Sequence, residues 1–255
     1  MSADPAHTWP EGVARHVLDE VDSTSSEAAR LASARVMQPT WIMARRQTAA
    51  RGRRGRAWQS PEGNFAATLL MRPGGSPMEA AQRSFVAALA LQDALALALG
   101  PAGRLSLKWP NDVLLNGGKV AGILLESLGQ GAEVTHLAIG IGVNLAQAPD
   151  PAMLEPGAMA PVSVAGETGM HVAPEDLLDL LAAAFARREA QFVAYGFAPI
   201  RNAWLASAAR LGQPISARTV SETLTGTFEG LAEDGALVIV TPAGRRAIPA
   251  ADVYF

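Results

Sequence analysis

Only two lysines, Lys108 and Lys119, stand against nineteen arginines in this chain of 255 residues. Both lie in one short segment, KWPNDVLLNGGKVAGILLE, which runs from Lys108 to Glu126. A lysine is a compact point charge on a flexible stem, whereas an arginine is a wide planar fork, so a lysine suits a cation placed beside a crowded anionic centre. Pro110 restricts Trp109 to extended geometry and presents Asn111 and Asp112 on a rigid turn. That pair offers a carboxylate to a divalent cation or to a lysine, or else builds an Asx-type turn and nothing more. Lys119 follows the tight-turn signal Asn116-Gly117-Gly118 and precedes Val120-Ala121-Gly122, where small residues let a ligand approach the backbone. This placement favours a ligand-facing ammonium.

The second cluster is QTAARGRRGRAW, Gln47 to Trp58. Six arginines fall between Arg45 and Arg56, a local positive field on a body of net charge −3. Gly52 and Gly55 let the backbone bend and bring N–H groups to an anion, while Arg51, Arg53, Arg54 and Arg56 supply charge-assisted contacts to carboxylate or phosphate. Framed by two predicted strands and closed by Trp58, the loop is expected to act as a lid over a small anion. A solvated basic loop or an Arg/Gly contact to RNA is the alternative. Weaker signals are GIGVN, Ile139 to Asn144, where strand packing is the preferred reading of the glycines, and Asp22-Ser23-Thr24, where helix capping by Thr24 competes with a polar ligand contact. His7, His16, His136 and His171 have no metal-like spacing.

These residues need a scaffold. Strands are predicted at Val13–Val21, Thr40–Arg46, Phe65–Arg72, in a run between Leu105 and Leu145 that includes Val120–Leu128 and Val134–Val143. Helices are expected from Thr24 to about Arg35, from a capping box at Ser76-Pro77-Met78-Glu79 to Gly100, from Pro174 with Leu177, Leu178, Leu181, Phe185 and Phe192 on one face, and from about Pro199 to Arg210. A proline-broken loop spans Gln147 to Pro161, with Met153 and Met159 equally suited to packing or ligand contact. After Gly212 short strands divided by Gly, Asp and Pro suggest a small SH3-like barrel. The expected organisation is residues 1–211 as one catalytic domain and 212–255 as a second, smaller one.

With 49% apolar residues the chain has material for a sizeable core, and with no cysteine it has no disulfide framework or thiolate metal site. Its longest apolar run, Phe85 to Leu99, reads as too short and polar for a bilayer span, and residues 1–12 lack a signal-peptide pattern. A cytoplasmic protein is expected. The slight acidic excess argues against broad nucleic-acid binding.

Taken in order, DST, QTAARGRRGRAW, KWPNDV, GGKVAGILLE and GIGVN resemble a biotin protein ligase, over about Val17 to Leu145 and more weakly in the C-terminal part. The resemblance implies an α/β (α+β) catalytic domain like the class II aminoacyl-tRNA synthetase core, a mixed, largely antiparallel sheet flanked by helices. It implies that biotin and MgATP form biotinyl-5′-AMP, which acylates a lysine of a biotin carboxyl carrier domain, with no tightly bound cofactor. Ser23, Thr24, Ser25, Gln47 and Gly122 then match biotin-holding positions; Arg51, Gly52 and Arg53 match the closing loop; Lys119 matches the lysine between biotin carboxylate and α-phosphate. Asp112 is associated with magnesium and ATP, Asn144 with adenine, and Arg54, Arg56, Trp58, Lys108 and Asn111 complete the expected nucleotide set. Lys119, Arg51 and Arg53 are the expected catalytic cations.

The chain departs from the family pattern at Ala50, usually Gly, and at Ser25, commonly Asn. About a dozen residues precede the first strand, so no DNA-binding domain and no operator binding are expected. A homodimer is left open. The competing readings are a lipoate-type ligase, for which Ser23, Thr24 and Gln47 are less suited than for a ureido head, and a non-enzymatic RNA-binding protein.

Overall fold

Period-two alternation along His136–Val143 sends Leu137, Ile139, Ile141 and Val143 into the main core and leaves Ala138, Gly140 and Gly142 on the opposite face. The two neighbouring strands repeat the arrangement in register. Phe65, Ala67 and Leu69 pair with Val143, Ile141 and Ile139, and Ala121, Ile123 and Leu125 do so from the other side. On the opposite face the same registers bring together Thr68, Gly140, Gly142 and Gly122. One face of the sheet centre is therefore bulky and the other nearly bare.

The computed structural model describes residues 8–129, 134–150 and 159–255. Its first sheet contains β1 (Ala14–Val21), β2 (Thr40–Gln47), β3 (Phe65–Met71), β4 (Leu105–Lys108), β5 (Asp112–Leu115), β6 (Gly118–Leu128) and β7 (His136–Val143), in the order β1-β2-β3-β7-β6-β5-β4. Only β1 and β2 run parallel, joined by α1 (Thr24–Ser33); every other neighbouring pair is antiparallel. α1 packs Ala28 against Ile42, Leu70 and Ala138 on the bare face. The bulky face is covered by α2 (Pro77–Leu99) and α4 (Pro174–Tyr195), and α5 (Phe197–Ala206) packs on these two helices.

α2 has the expected capping box, with Ser76 Oγ accepting from Glu79 N–H and the Glu79 carboxylate accepting from Ser76 N–H. The wider helix Pro77–Ala102 is long and apolar enough to cross a membrane by composition, and much of it is buried as the core helix. α1 differs from expectation at its start. Ser23, extended at φ −156°, is the N-cap and accepts from Ser26 N–H, so Thr24 is the first helical residue and its hydroxyl is not used for capping. α1 also stops at Ser33 and α5 at Ala206, each short of the expected end, and β7 begins at His136. A short helix α3 (Val164–Thr168), capped by Ser163, follows the proline-broken loop, in a stretch for which no element was predicted.

Residues 214–254 form a second, antiparallel sheet: β8 (Pro214–Arg218), β9 (Thr223–Leu231), β10 (Leu237–Thr241), β11 (Gly244–Ile248) and β12 (Asp252–Tyr254), ordered β11-β10-β9-β8-β12. These are the short strands expected after Gly212, all paired antiparallel, with β11 and β12 as the edges and no pairing between them. Ile215, Phe228, Leu231 and Leu237 are continuous with the main core, and Trp109 Nε1 donates to Gly235 O across the junction.

Arg83 on α2, 4% exposed, donates to Glu189 on α4 at 2.7 Å and to Pro73 O, with Phe192 under its guanidinium. Truncating one partner strands a buried charge, which costs about 3 kcal/mol or more. Glu189→Ala is expected to lose about that much in urea unfolding, whereas Glu189→Gln, which keeps an acceptor, loses less.

Candidate active site

The bare face opens into a cavity of about 540 Å³ bounded by the start of α1, the Arg/Gly loop, β5, β6, β7 and β12. Gly142 is bare for a reason. A Cβ there would lie 2.7 Å from the Trp58 indole, and one at Gly140 would lie 3.0 Å from Ser25 Oγ. The β7 glycines thus admit side chains of the site itself, so their role is more than strand packing.

At one end Thr24 and Gln47 meet. Gln47 Oε1 accepts from Thr24 N–H at 2.8 Å and from Thr24 Oγ1 at 3.2 Å. Ser23, Thr24 and Ser25 are all buried and all line the cavity. At the middle stands Asp112, brought next to both lysines by strand pairing: Lys108 opposes it across β4–β5, and Lys119 follows the Asn116-Gly117 turn. Both turn residues have positive φ, 51° and 90°, as a tight hairpin requires. Lys119 Nζ lies 2.7 Å from Asp112 Oδ1, Lys108 Nζ 3.6 Å from Oδ2. Asp112 is therefore a counter-ion within the cavity and more than a turn former. Lys119 also lies 5.7 Å from the Trp58 ring centroid.

Burial pulls the Lys108 ammonium below its ordinary range, against the opposing pull of Asp112, and it packs on the Phe255 ring. Arg53 is likewise lowered by burial, and donates to Asn111 Oδ1 at 3.3 Å. Arg51 faces outward at this end, bound to Glu126 at 3.0 Å and to Ser26 Oγ at 3.1 Å. Arg54, with φ 56°, does not line the cavity; it and Arg56 share Asp252 Oδ2 at 2.6 and 3.2 Å. Asn144, 1% exposed, donates to Val162 O while its Oδ1 has no partner, an acceptor kept beside the cavity.

The structure thus gathers every sequence-predicted site residue except Arg54 around one cavity, including Gly52 and Gly122. It adds Asp252, about 140 positions downstream of Asp112 and on the other sheet, which no local pattern marks. It also adds Thr68, whose signal was a lone hydroxyl in the apolar strand FAATLLM. Of the 147–161 loop, Met159 lines the cavity, and Met153 lies outside the described residues. Five cations against two carboxylates make the centre a receptor for a polyanion, with a neutral polar recess at the α1 end.

Residues 18–144 match the model of the biotin/lipoate A/B protein ligase family, and residues 211–255 that of the biotin protein ligase C-terminal domain. The chain is 63% identical to the biotin–[acetyl-CoA-carboxylase] ligase of Paracoccus denitrificans, over 94% of this chain and 99% of that one. It is 32% identical to the bifunctional ligase/repressor BirA of Bacillus subtilis, over 95% of this chain and 75% of that protein. The biotin protein ligase of Aquifex aeolicus in complex with biotin and ATP superposes with a TM-score of 0.80 at 27% identity, covering 94% and 98% of the two chains.

Asp252 is the described link between β12 and the Arg/Gly loop. Removing its charge in Asp252→Asn is expected to speed trypsin cleavage within residues 51–56 by about two- to threefold, a modest effect because both arginines are half exposed. Cleavage at the wild-type rate would mean that Asp252 does not hold the loop.

Proposed function

Because this chain belongs to the biotin/lipoate A/B protein ligase family, we propose that it activates biotin with ATP as biotinyl-5′-AMP and transfers the biotinyl group to a lysine of a carboxylase carrier domain. The observation that carries this reading is one cavity with two unlike ends: the Thr24–Gln47 recess for an uncharged polar head, and the Lys119–Asp112–Lys108 centre for anions. A dithiolane head, as in lipoate, would leave the Gln47 amide N–H groups of the recess without an acceptor, which disfavours the lipoate alternative.

In the first step the carboxylate oxygen of biotin attacks the α-phosphorus and pyrophosphate leaves. Anion meets anion, and Lys119 stands where it can offset that repulsion. Its Asp112 partner, 2.7 Å away, holds the ammonium in place until substrate arrives. Holding both substrates in one cavity makes the encounter effectively intramolecular. Arg53 and Arg56 form the wall for the polyphosphate, with Arg54 outside it on Asp252; Arg51 closes from the rim, and Lys108 and Asn111 support them. Trp58 and Asn144 suit the base, the indole by stacking and the free Oδ1 by accepting from an amino group. In the second step the carrier amine attacks the acyl carbon and AMP leaves, so no residue of this chain forms a covalent intermediate.

Magnesium enters as part of the nucleotide. The described residues hold no group of three or more Asp, Glu, His or Cys side chains that could make a protein-only site. One carboxylate plus phosphate oxygens and water is the usual magnesium arrangement with ATP. Asp112 fits it through Oδ2, which at 3.6 Å from Lys108 is beyond hydrogen-bond length. The ion would supply neutralisation of charge on the leaving pyrophosphate. Residues 1–211 would carry the reaction and 212–255, through Asp252, would support the loop. The cytoplasm fits the reading as the place of carboxylase maturation.

Biotin-dependent exchange of pyrophosphate into ATP tests the assignment. The wild type is expected to catalyse it with biotin and not with lipoate, and Lys119→Ala to lose at least about 100-fold in kcat/KM; exchange at the wild-type rate in that variant would remove Lys119 from the mechanism. A second test uses pH. Because burial lowers Lys108, its ammonium is lost on raising pH below the ordinary 10.5. KM for ATP is expected to rise in that alkaline window in the wild type and to stay flat in Lys108→Arg, whose charge persists.

A further inference from the structure

Thr68 lies on β3 beneath the cavity floor, with no exposed surface, in a strand otherwise built of apolar side chains. Its Oγ1 is 2.8 Å from Thr24 Oγ1 and 3.4 Å from Ser25 Oγ. Proton counting gives these contacts a direction. Gln47 Oε1 is an acceptor only, so the Thr24 hydroxyl at 3.2 Å must donate to it. A hydroxyl has one proton, so Thr24 cannot also donate to Thr68, and Thr68 must donate to Thr24. Thr68 has then used its proton, so Ser25 donates to Thr68. The order is Ser25 to Thr68 to Thr24 to Gln47, and Thr24 N–H adds a second donor to the same Gln47 oxygen. With Oε1 taken twice, Gln47 can offer the cavity only its Nε2 hydrogens, for which no described residue is an acceptor.

We propose that Thr68 is a positioning residue that fixes the hydrogen-bond polarity of the head recess, so that Gln47 presents a donor and the recess selects a ligand head bearing a carbonyl-type acceptor. This rests on biotin being the substrate. The relay also gives Ser25, the position where the family commonly has Asn, a place in the site. A serine hydroxyl at that position reaches Thr68 while leaving Gly140 its close approach, 3.0 Å from a would-be Cβ. The relay lies below the ligand and touches neither reacting group, so its loss acts on recognition of the head and spares the phosphate end.

Thr68→Val keeps the shape and removes the hydroxyl. Without it Thr24 Oγ1 loses a donor and Ser25 an acceptor, and the Gln47 amide is held less firmly. In the exchange assay KM for biotin is expected to rise about 5- to 10-fold with kcat and KM for ATP little changed, and Thr68→Ser to restore wild-type values. Polarity itself is read with 2-iminobiotin, whose head has an N–H group where biotin has the carbonyl oxygen: the wild-type preference for biotin should shrink in Thr68→Val. Should that variant not fold, Thr68→Cys, with a weaker S–H donor, is expected to show an intermediate rise. The proposal is overturned if the folded variants keep the wild-type KM and preference, or if Thr68→Ser is as impaired as Thr68→Val. A wild type inactive with biotin would instead overturn the ligase reading itself.

Discussion

Everything in this site depends on one constraint of the pleated sheet: successive side chains must point to opposite faces. Along β3, β6 and β7 bulk is concentrated on one face, while Thr68, Gly122, Gly140 and Gly142 keep the centre of the other low. The bulky face binds α2 and α4, with α5 on them, into a core that fixes strand positions. The bare face then has a floor that is rigid because of packing it does not itself provide. A one-residue slip in register would exchange the faces, filling the cavity with isoleucine and emptying the core. Core and cavity are therefore specified together, by the same strands.

Charge is arranged on this floor with equal economy. Five cations near one cavity repel one another, and the chain supplies counter-ions for them when no substrate does: Asp112 and Asp252 in the wall and Glu126, which binds Arg51 at the rim. Asp112 comes from the hairpin that carries both lysines, and Asp252 from the far sheet. The remaining positive excess is what a nucleotide and a carboxylate bring anions to meet. Asn144 shows the same preparation on the neutral side, with one polar atom fixed and the other kept open.

What was legible in the sequence was local. The capping box at Ser76 and the Asn116-Gly117 turn each state their geometry in adjacent residues, and each formed as expected. Where two readings used neighbouring residues the local rule misassigned one: Ser23 caps α1, and this frees the Thr24 hydroxyl for Gln47. The role of Gly140 and Gly142 was not legible, because only the strand register shows that Ser25 and Trp58 lie above them. Asp252 was invisible for a similar reason, its partners being almost 200 residues away. The short strands after Gly212 were legible from their Gly, Asp and Pro breaks, but their order was not: β12 pairs with β8 across the whole sheet domain.

The scarcity of lysine has a chemical consequence beyond charge. An acyl-adenylate reacts with any accessible unprotonated amine, and a ligase that makes one is the nearest protein to its own product. In this chain the only lysine amines are those of Lys108 and Lys119, both beside Asp112 and both within the cavity wall. The other nineteen cations are guanidinium groups, which stay protonated and do not act as nucleophiles. The outer surface offers an escaping acyl-adenylate no lysine to modify, so the composition that first singled out two residues also spares the enzyme from labelling its own side chains.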